Sequence, residues 1–203
     1  MEYINKYLNQ VSEISSKIDK TKINNMIDMI LEIKKSQGRL FFIGVGGSAA
    51  NCSHAVNDFR KIANIESYTP MDNVAEITAR TNDEGWNTIF APWLELNKLN
   101  ENDGLFIFSV GGGNKENNVS VAIIEALDFA VDRNAKILGI TGRDGGYTAK
   151  LANECIIIPT LSSDTIPPHA EAWQAVIWHL LVSHPKIMSM SNKWESIDNQ
   201  SIK

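Results

Sequence analysis

Cysteine is scarce in this sequence. Cys52 and Cys155 are the only two in 203 residues, and they stand far apart without a C-x-x-C or other ligand spacing. That excludes a disulfide framework and reads as two reduced thiols of a cytoplasmic protein. Long apolar runs are missing as well. Nothing approaches the roughly 18 to 20 uninterrupted apolar residues that span a bilayer, and the opening MEYINKYLNQ has no basic head followed by an apolar stretch, so neither a membrane protein nor a targeted precursor is expected. Positive charge is in deficit: 19 Lys and Arg against 24 Asp and Glu leave a formal net charge of −5. No dense basic face is available for nucleic-acid phosphates, and the five tryptophans sit outside any basic segment. Internal repeats, low-complexity tracts and composition breaks are absent too, so the chain reads as one globular domain with a sizeable core.

What is present is an alternation of two periodicities. Ile4, Tyr7, Leu8, Val11 and Ile14, then Ile23, Met26, Ile27, Ile30, Leu31 and Ile33, recur every three or four residues and predict two leading helices within residues 1–37. After Gly38 come short β-rich runs, RLFFIGVGG, GLFIFSVGGG, KILGITGRDGG and ECIIIPT, with a weaker fifth at ESYTP that Pro70 limits in length. Helix-length amphipathic stretches lie at 48–64, 86–99, 117–133 and 169–183. Strand followed by helix, repeated, predicts a doubly wound α/β core over 38–184 with helices on both faces of a parallel sheet. A polar tail, 185–203, follows, in which Trp194 is expected to cover a surface.

Three strands end in glycine-rich turns: GVGGS at 44–48, SVGGGN at 109–114 and TGRDGG at 141–146. Ligands of open α/β sheets bind beyond the carboxyl ends of the strands, where glycines let backbone amides approach an anion, so three such turns on one edge imply a phosphorylated ligand. Each turn alone is equally well a tight connection. Gly44, Gly46 and Ala49 meet the dinucleotide fingerprint only loosely, and no glycine loop is followed by Lys-Ser or Lys-Thr, which disfavours a nicotinamide site and excludes a P-loop.

His54 and Asp58 stand four apart on one predicted helix, and Glu171 and His179 lie two turns apart on the last one. Two imidazoles and two carboxylates suit a divalent metal, zinc or another first-row ion. Read locally, His54 and Asp58 are equally a helix-surface pair, and His179 a partly buried histidine beside Trp178. His169, just ahead of the last predicted helix, is read as an alternative ligand or acid, or as a surface residue.

Taken together in this order, GVGGSAANCSH, ITARTND, SVGGGN, ILGITGRDGG and EAWQAVIWH resemble the sugar isomerase (SIS) domain proteins, and among them the phosphoheptose isomerases, over almost the whole chain. The resemblance implies a three-layer αβα sandwich with a five-stranded parallel sheet, preceded by two helices. It further implies a homotetramer and conversion of a ketose phosphate, sedoheptulose 7-phosphate, to an aldose phosphate on the way to a cell-surface heptose. His54, Asp58, Glu171 and His179 match the family's metal-site positions residue by residue. Asp58 as base and His179 as acid would then carry the two proton transfers of a cis-enediol mechanism. Substrate contacts are implied at Val45, Gly46, Gly47, Ser48, Asn82, Asp83, Ser109, Val110, Gly111, Asn114 and Glu171. Asn82 and Asp83 are open to a second reading as a helix N-cap, and Arg143 to an interface or a phosphate contact.

Three positions and one loop depart from the family pattern. Asp58 stands for a longer Glu, Glu171 for Gln, Val45 for Asn, and SVGGGN for a loop rich in Ser and Thr. Loss of the hydroxyls leaves the backbone amides, with Ser109 and Asn114, to hold an anion. A non-catalytic SIS module that binds a sugar phosphate or a protein is the competing expectation.

Overall fold

Five apolar runs pair in parallel as β1 (Leu40–Gly44), β2 (Ser67–Tyr68), β3 (Gly104–Ser109), β4 (Lys136–Thr141) and β5 (Glu154–Ile157) in a computed structural model that describes residues 1–190. The expected role of Trp194 lies outside the described residues. Lateral order is β2-β1-β3-β4-β5, with Leu40 opposite Gly104 and Phe108 opposite Ile140. The helices are α1 (Glu2–Lys17), α2 (Lys20–Lys35), α3 (Gly47–Lys61), α4 (Val74–Asp83), α5 (Ala91–Leu96), α6 (Val121–Asp132), α7 (Gly146–Leu151) and α8 (Ile166–Ser183).

Side chains alternate across each strand, and the alternation builds two cores. Leu40, Phe42, Phe106, Phe108, Leu138, Ile140 and Ile156 face α2, α3 and α8, whereas Phe41, Ile43, Leu105, Ile107 and Ile137 face α5 and α6. Both faces being covered, the central strands are buried along their whole length, which is why they read as continuous apolar runs. At the amino edge Asp103 ties two strand entries together. It is buried and accepts from the Arg39 backbone amide (2.9 Å), from Arg39 Nη2 (2.7 Å) and from Asn100.

The sequence pattern fails where helices carry little apolar surface. No residue of α4 is buried; its support is the Asn73 cap and the Glu76–Arg80 pair, so no periodic stripe announces it. Asn82 and Asp83 close this helix instead of capping a following one. The stretch 86–99 divides into a 3₁₀ turn (Trp86–Thr88) and the short α5, which carries Pro92 in its first turn. Residues 114–119 form a tight antiparallel bridge between Asn114 and Val119, delaying α6 to Val121. Pro167 and Pro168 lie in the first turn of α8, so His169 is inside that helix and buried, not on the surface ahead of it.

α1 buries only Gln10 and Ile14; Tyr3, Ile4, Leu8 and Val11 remain exposed along its length. Among the described residues, no helix is long and apolar enough to cross a membrane.

Candidate functional site

β1 is followed by α3 on one face of the sheet and β3 by α6 on the other, so the chain switches faces between these neighbouring strands. Such a switch opens a crevice at the carboxyl edge. The glycine turns after β1 and β3 line it.

α3 and α8 run in the same direction away from that edge, in contact along a polar seam. At its head the Glu171 carboxyl lies over Gly47: a Cβ on Gly47 would sit 2.5 Å from Glu171 Oε2, so a larger residue there would turn the Glu171 side chain aside. One turn further, Gln174 Nε2 donates to Ser48 Oγ (3.0 Å), while Asn51 Nδ2 donates to Gln174 Oε1 (2.8 Å) and to the Glu171 carbonyl (3.0 Å). Both Ser48 and Gln174 are buried. Lower down, His54, Asp58 and His179 bring one ligand atom each within 4.8 Å of the others.

Asp58 forms the floor of this group, with its side chain 9% exposed against 57% for His54 and 51% for His179. Its Oδ2 accepts from Trp178 Nε1 (3.1 Å) and lies 3.5 Å from His54 Nε2 and 3.3 Å from His179 Nε2. Asn57 Nδ2 donates to Oδ1 at 3.0 Å. His179 Nδ1 stands 2.8 Å from the Ala175 carbonyl, an acceptor only, so Nδ1 carries the proton and a neutral ring turns a bare Nε2 lone pair toward a carboxylate oxygen. Two lone pairs facing at 3.3 Å repel unless a proton or a cation lies between them. Ligands bound tetrahedrally at about 2 Å from a divalent cation stand about 3.3 Å apart, so the two separations from Asp58 and the donor types suit such an ion.

Glu171 does not join this group. It shares α8 with His179, but eight residues separate them, about 12 Å of helix rise. The four candidate ligands therefore divide into a three-residue cluster and a separate carboxylate at the helix heads.

The loop after β3 is closed on itself. Ser109 Oγ accepts from the Gly112 amide (3.0 Å), and Asn114 Oδ1 accepts from the Asn117 amide (2.9 Å). Gly112 and Gly113 have φ of +70° and +84°, and their carbonyls accept from the amides of Thr148 and Tyr147, both at 2.8 Å. The loop thus caps α7 with its carbonyls. Gly46 (φ +64°) turns the chain into α3 beside the exposed Val45. Asn82 and Asp83 are exposed and bonded to each other through Asn82 Nδ2 at 2.8 Å.

His169 serves the fold. Its Nε2 meets Gln10 Oε1 at 3.0 Å and its ring stacks on Tyr7 at 4.4 Å, fastening α1 to α8, and burial depresses its pKa. Cys52 and Cys155 are buried and free; burial raises both thiols, Cys155 to about 11, which keeps them protonated.

The SIS domain model matches residues 2–142, more than two thirds of the chain. The chain belongs to the SIS domain family. Among relatives, the lincomycin biosynthesis protein LmbN of Streptomyces lincolnensis is 32% identical over 158 residues; the match spans 72% of this chain and only 56% of LmbN. A phosphoheptose isomerase of Helicobacter pylori is 26% identical, covering 78% of this SIS chain and 80% of the relative. In structure, a phosphoheptose isomerase from Francisella tularensis superposes with a TM-score of 0.76 at 22% identity, over 89% of this chain and 92% of that one.

Spacing on this SIS fold would have revealed one part of the site that sequence reading passed over. Gly47, Asn51, His54 and Asp58 recur every three or four residues on α3, as do Glu171, Gln174 and Trp178 on α8. Asn51 and Gln174 were the polar members of those stripes not singled out.

Proposed function

We propose that this chain is an aldose–ketose isomerase of a sugar phosphate, with sedoheptulose 7-phosphate converted to D-glycero-D-manno-heptose 7-phosphate for surface polysaccharide. The observation that carries the reading is the His54–Asp58–His179 cluster on a polar seam that begins at the glycine-lined sheet edge of an SIS fold. Relatives named phosphoheptose isomerase at 26% identity support the substrate class.

His54, Asp58 and His179 are the residues that would hold a divalent cation, zinc by donor type. Bound there, the ion would supply Lewis acidity toward substrate oxygens. The chain's own groups supply the proton transfers. Asp58 acts as the base toward the carbon next to the carbonyl, and the opposed imidazole of His179 returns a proton to the neighbouring carbon. Because the Ala175 carbonyl fixes the proton on Nδ1, the mobile proton of His179 resides on Nε2. A proton and a cation compete for that nitrogen, so metal loading and acid catalysis by His179 oppose each other.

Exposed apolar side chains on α1, with Val176 and Leu180 on α8, support a homo-oligomer, proposed as a tetramer, in the cytoplasm. Glu171 is proposed as a substrate contact at the seam head.

Proton NMR in deuterated water with sedoheptulose 7-phosphate tests the reading. Isomerisation should appear as an aldose signal with deuterium at the carbon beside the carbonyl, and should vanish in His179→Ala. Adding and removing zinc separates the two roles of His179. Binding of the sugar phosphate without exchange would instead establish a non-catalytic SIS module.

A further inference from the structure

The anion loop of this chain offers few side-chain donors. Ser109 Oγ and Asn114 Oδ1 accept from the Gly112 and Asn117 amides, which leaves one hydroxyl and one carboxamide NH2 as neutral donors beside the backbone. The amides of Val110, Gly111 and Gly113 have no hydrogen-bond partner among the described residues. A phosphate drawn to them would meet dipoles but no unengaged cation of the loop itself, whose Lys115 is paired with Asp128.

The charge stands on the next loop. Arg143 follows β4 with φ +55°, a left-handed backbone that a non-glycine residue adopts at a cost, and this conformation sets its side chain beside Gly111. A Cβ on Gly111 would lie 3.8 Å from Arg143 Nη1. The guanidinium lines a cavity of about 100 Å³ with Gly111, Gly113, Asn117 and Gly146, and makes no ion pair or hydrogen bond among the described residues. Its neighbours are otherwise engaged. Asp144, which shares the cavity, accepts from the Gly146 amide, and Lys115 is bound to Asp128 and the Tyr147 hydroxyl.

We propose that Arg143 is the side chain that holds the substrate's phosphomonoester, replacing with one planar cation the hydroxyl donors this loop lacks. A guanidinium can pair two N–H donors with two phosphate oxygens, while the glycine amides take the third. The assignment rests on the sugar-phosphate reading, and its test separates the two.

Initial rates with sedoheptulose 7-phosphate, and competition by inorganic phosphate, are compared for the wild type, Arg143→Asn and Arg143→Lys. Asn suits a left-handed backbone, so it removes the charge without a folding penalty at that residue. Arg143→Asn should raise KM and the inhibition constant of phosphate together, by about 10- to 100-fold, with the loss falling mainly on KM; Lys should recover part of it. Both constants staying within about threefold of wild type overturns the assignment. If the wild type turns over no sugar phosphate, the isomerase reading fails, and the anion site is judged by thermal melts with inorganic phosphate. A rise in Tm that Arg143→Asn abolishes supports Arg143, and a rise that is equal in both, or absent from both, overturns it.

Discussion

Replacing Asp58 by Asn changes two oxygens into an oxygen and an amide with almost no change in volume, yet it strikes every contact of the His–Asp–His cluster. In the folded chain Asp58 Oδ2 is the atom common to Trp178 Nε1, His54 Nε2 and His179 Nε2, at 3.1, 3.5 and 3.3 Å. An Asn oxygen can still accept the indole proton, but as a neutral acceptor, which lowers that bond's contribution by about 1 kcal/mol. Relief of a buried charge offsets part of this, so the metal-free variant should melt within a few degrees of wild type. The difference appears with metal. Zinc at about 100 times its Kd stabilises a one-site protein by about 2.7 kcal/mol, and for a chain of this size each kcal/mol moves Tm by roughly 2 to 4 °C. Wild type should therefore gain about 5 to 10 °C with zinc and Asp58→Asn almost nothing. Deuterium incorporation should fall by about 10²- to 10⁴-fold with loss of the base. Scanning calorimetry with and without zinc, paired with the NMR exchange assay, reads both. A variant that keeps the zinc-dependent rise and exchanges within tenfold of wild type would refute the role given to Asp58.

Two further outcomes follow from buried polar groups. Burial holds the His169 pKa below its ordinary value of 6.5, so unfolding takes up a proton as pH falls. Its stabilising share is complete above about pH 6.5 and is lost as pH falls from there through the folded pKa; Tm measured from pH 7.5 to 5 should decline, and His169→Gln should flatten the decline. Asp103→Ala strands the Arg39 guanidinium and an amide at the sheet's amino edge, and should cost about 3 kcal/mol in urea unfolding while leaving zinc binding and KM unchanged.

The fold was legible wherever burial imposed a period. β1, β3, β4 and β5 lie between two helical layers, and their apolar runs say so; α3 and α8 carry one-sided stripes. α4 was invisible because it buries nothing, and α7 because six residues that start from two left-handed glycines leave no pattern to detect. The site was half legible. His54 and Asp58 are four apart on one helix, and local geometry alone sets them together. That His179 completes the cluster while Glu171 does not depends on the register between α3 and α8, held by the bonds of Ser48 and Asn51 to Gln174 across more than 120 positions of sequence. No periodicity within either helix encodes that register.

The glycine turns after β3 and β4 have a consequence for how fast a ligand is captured. A Cβ on Gly112 would fall 1.9 Å from the Gly145 carbonyl oxygen, and one on Gly146 would fall 2.1 Å from that of Gly111, so the two loops meet backbone to backbone with no side chain between them. Carbonyls of one are bonded to amides of the other, and from outside Lys115 bridges to Asp128 and Tyr147. The crevice floor is thus ordered when the chain folds, and an arriving anion has no loop to immobilise. Capture should depend on diffusional encounter rather than on loop closure, and should show no slow conformational phase.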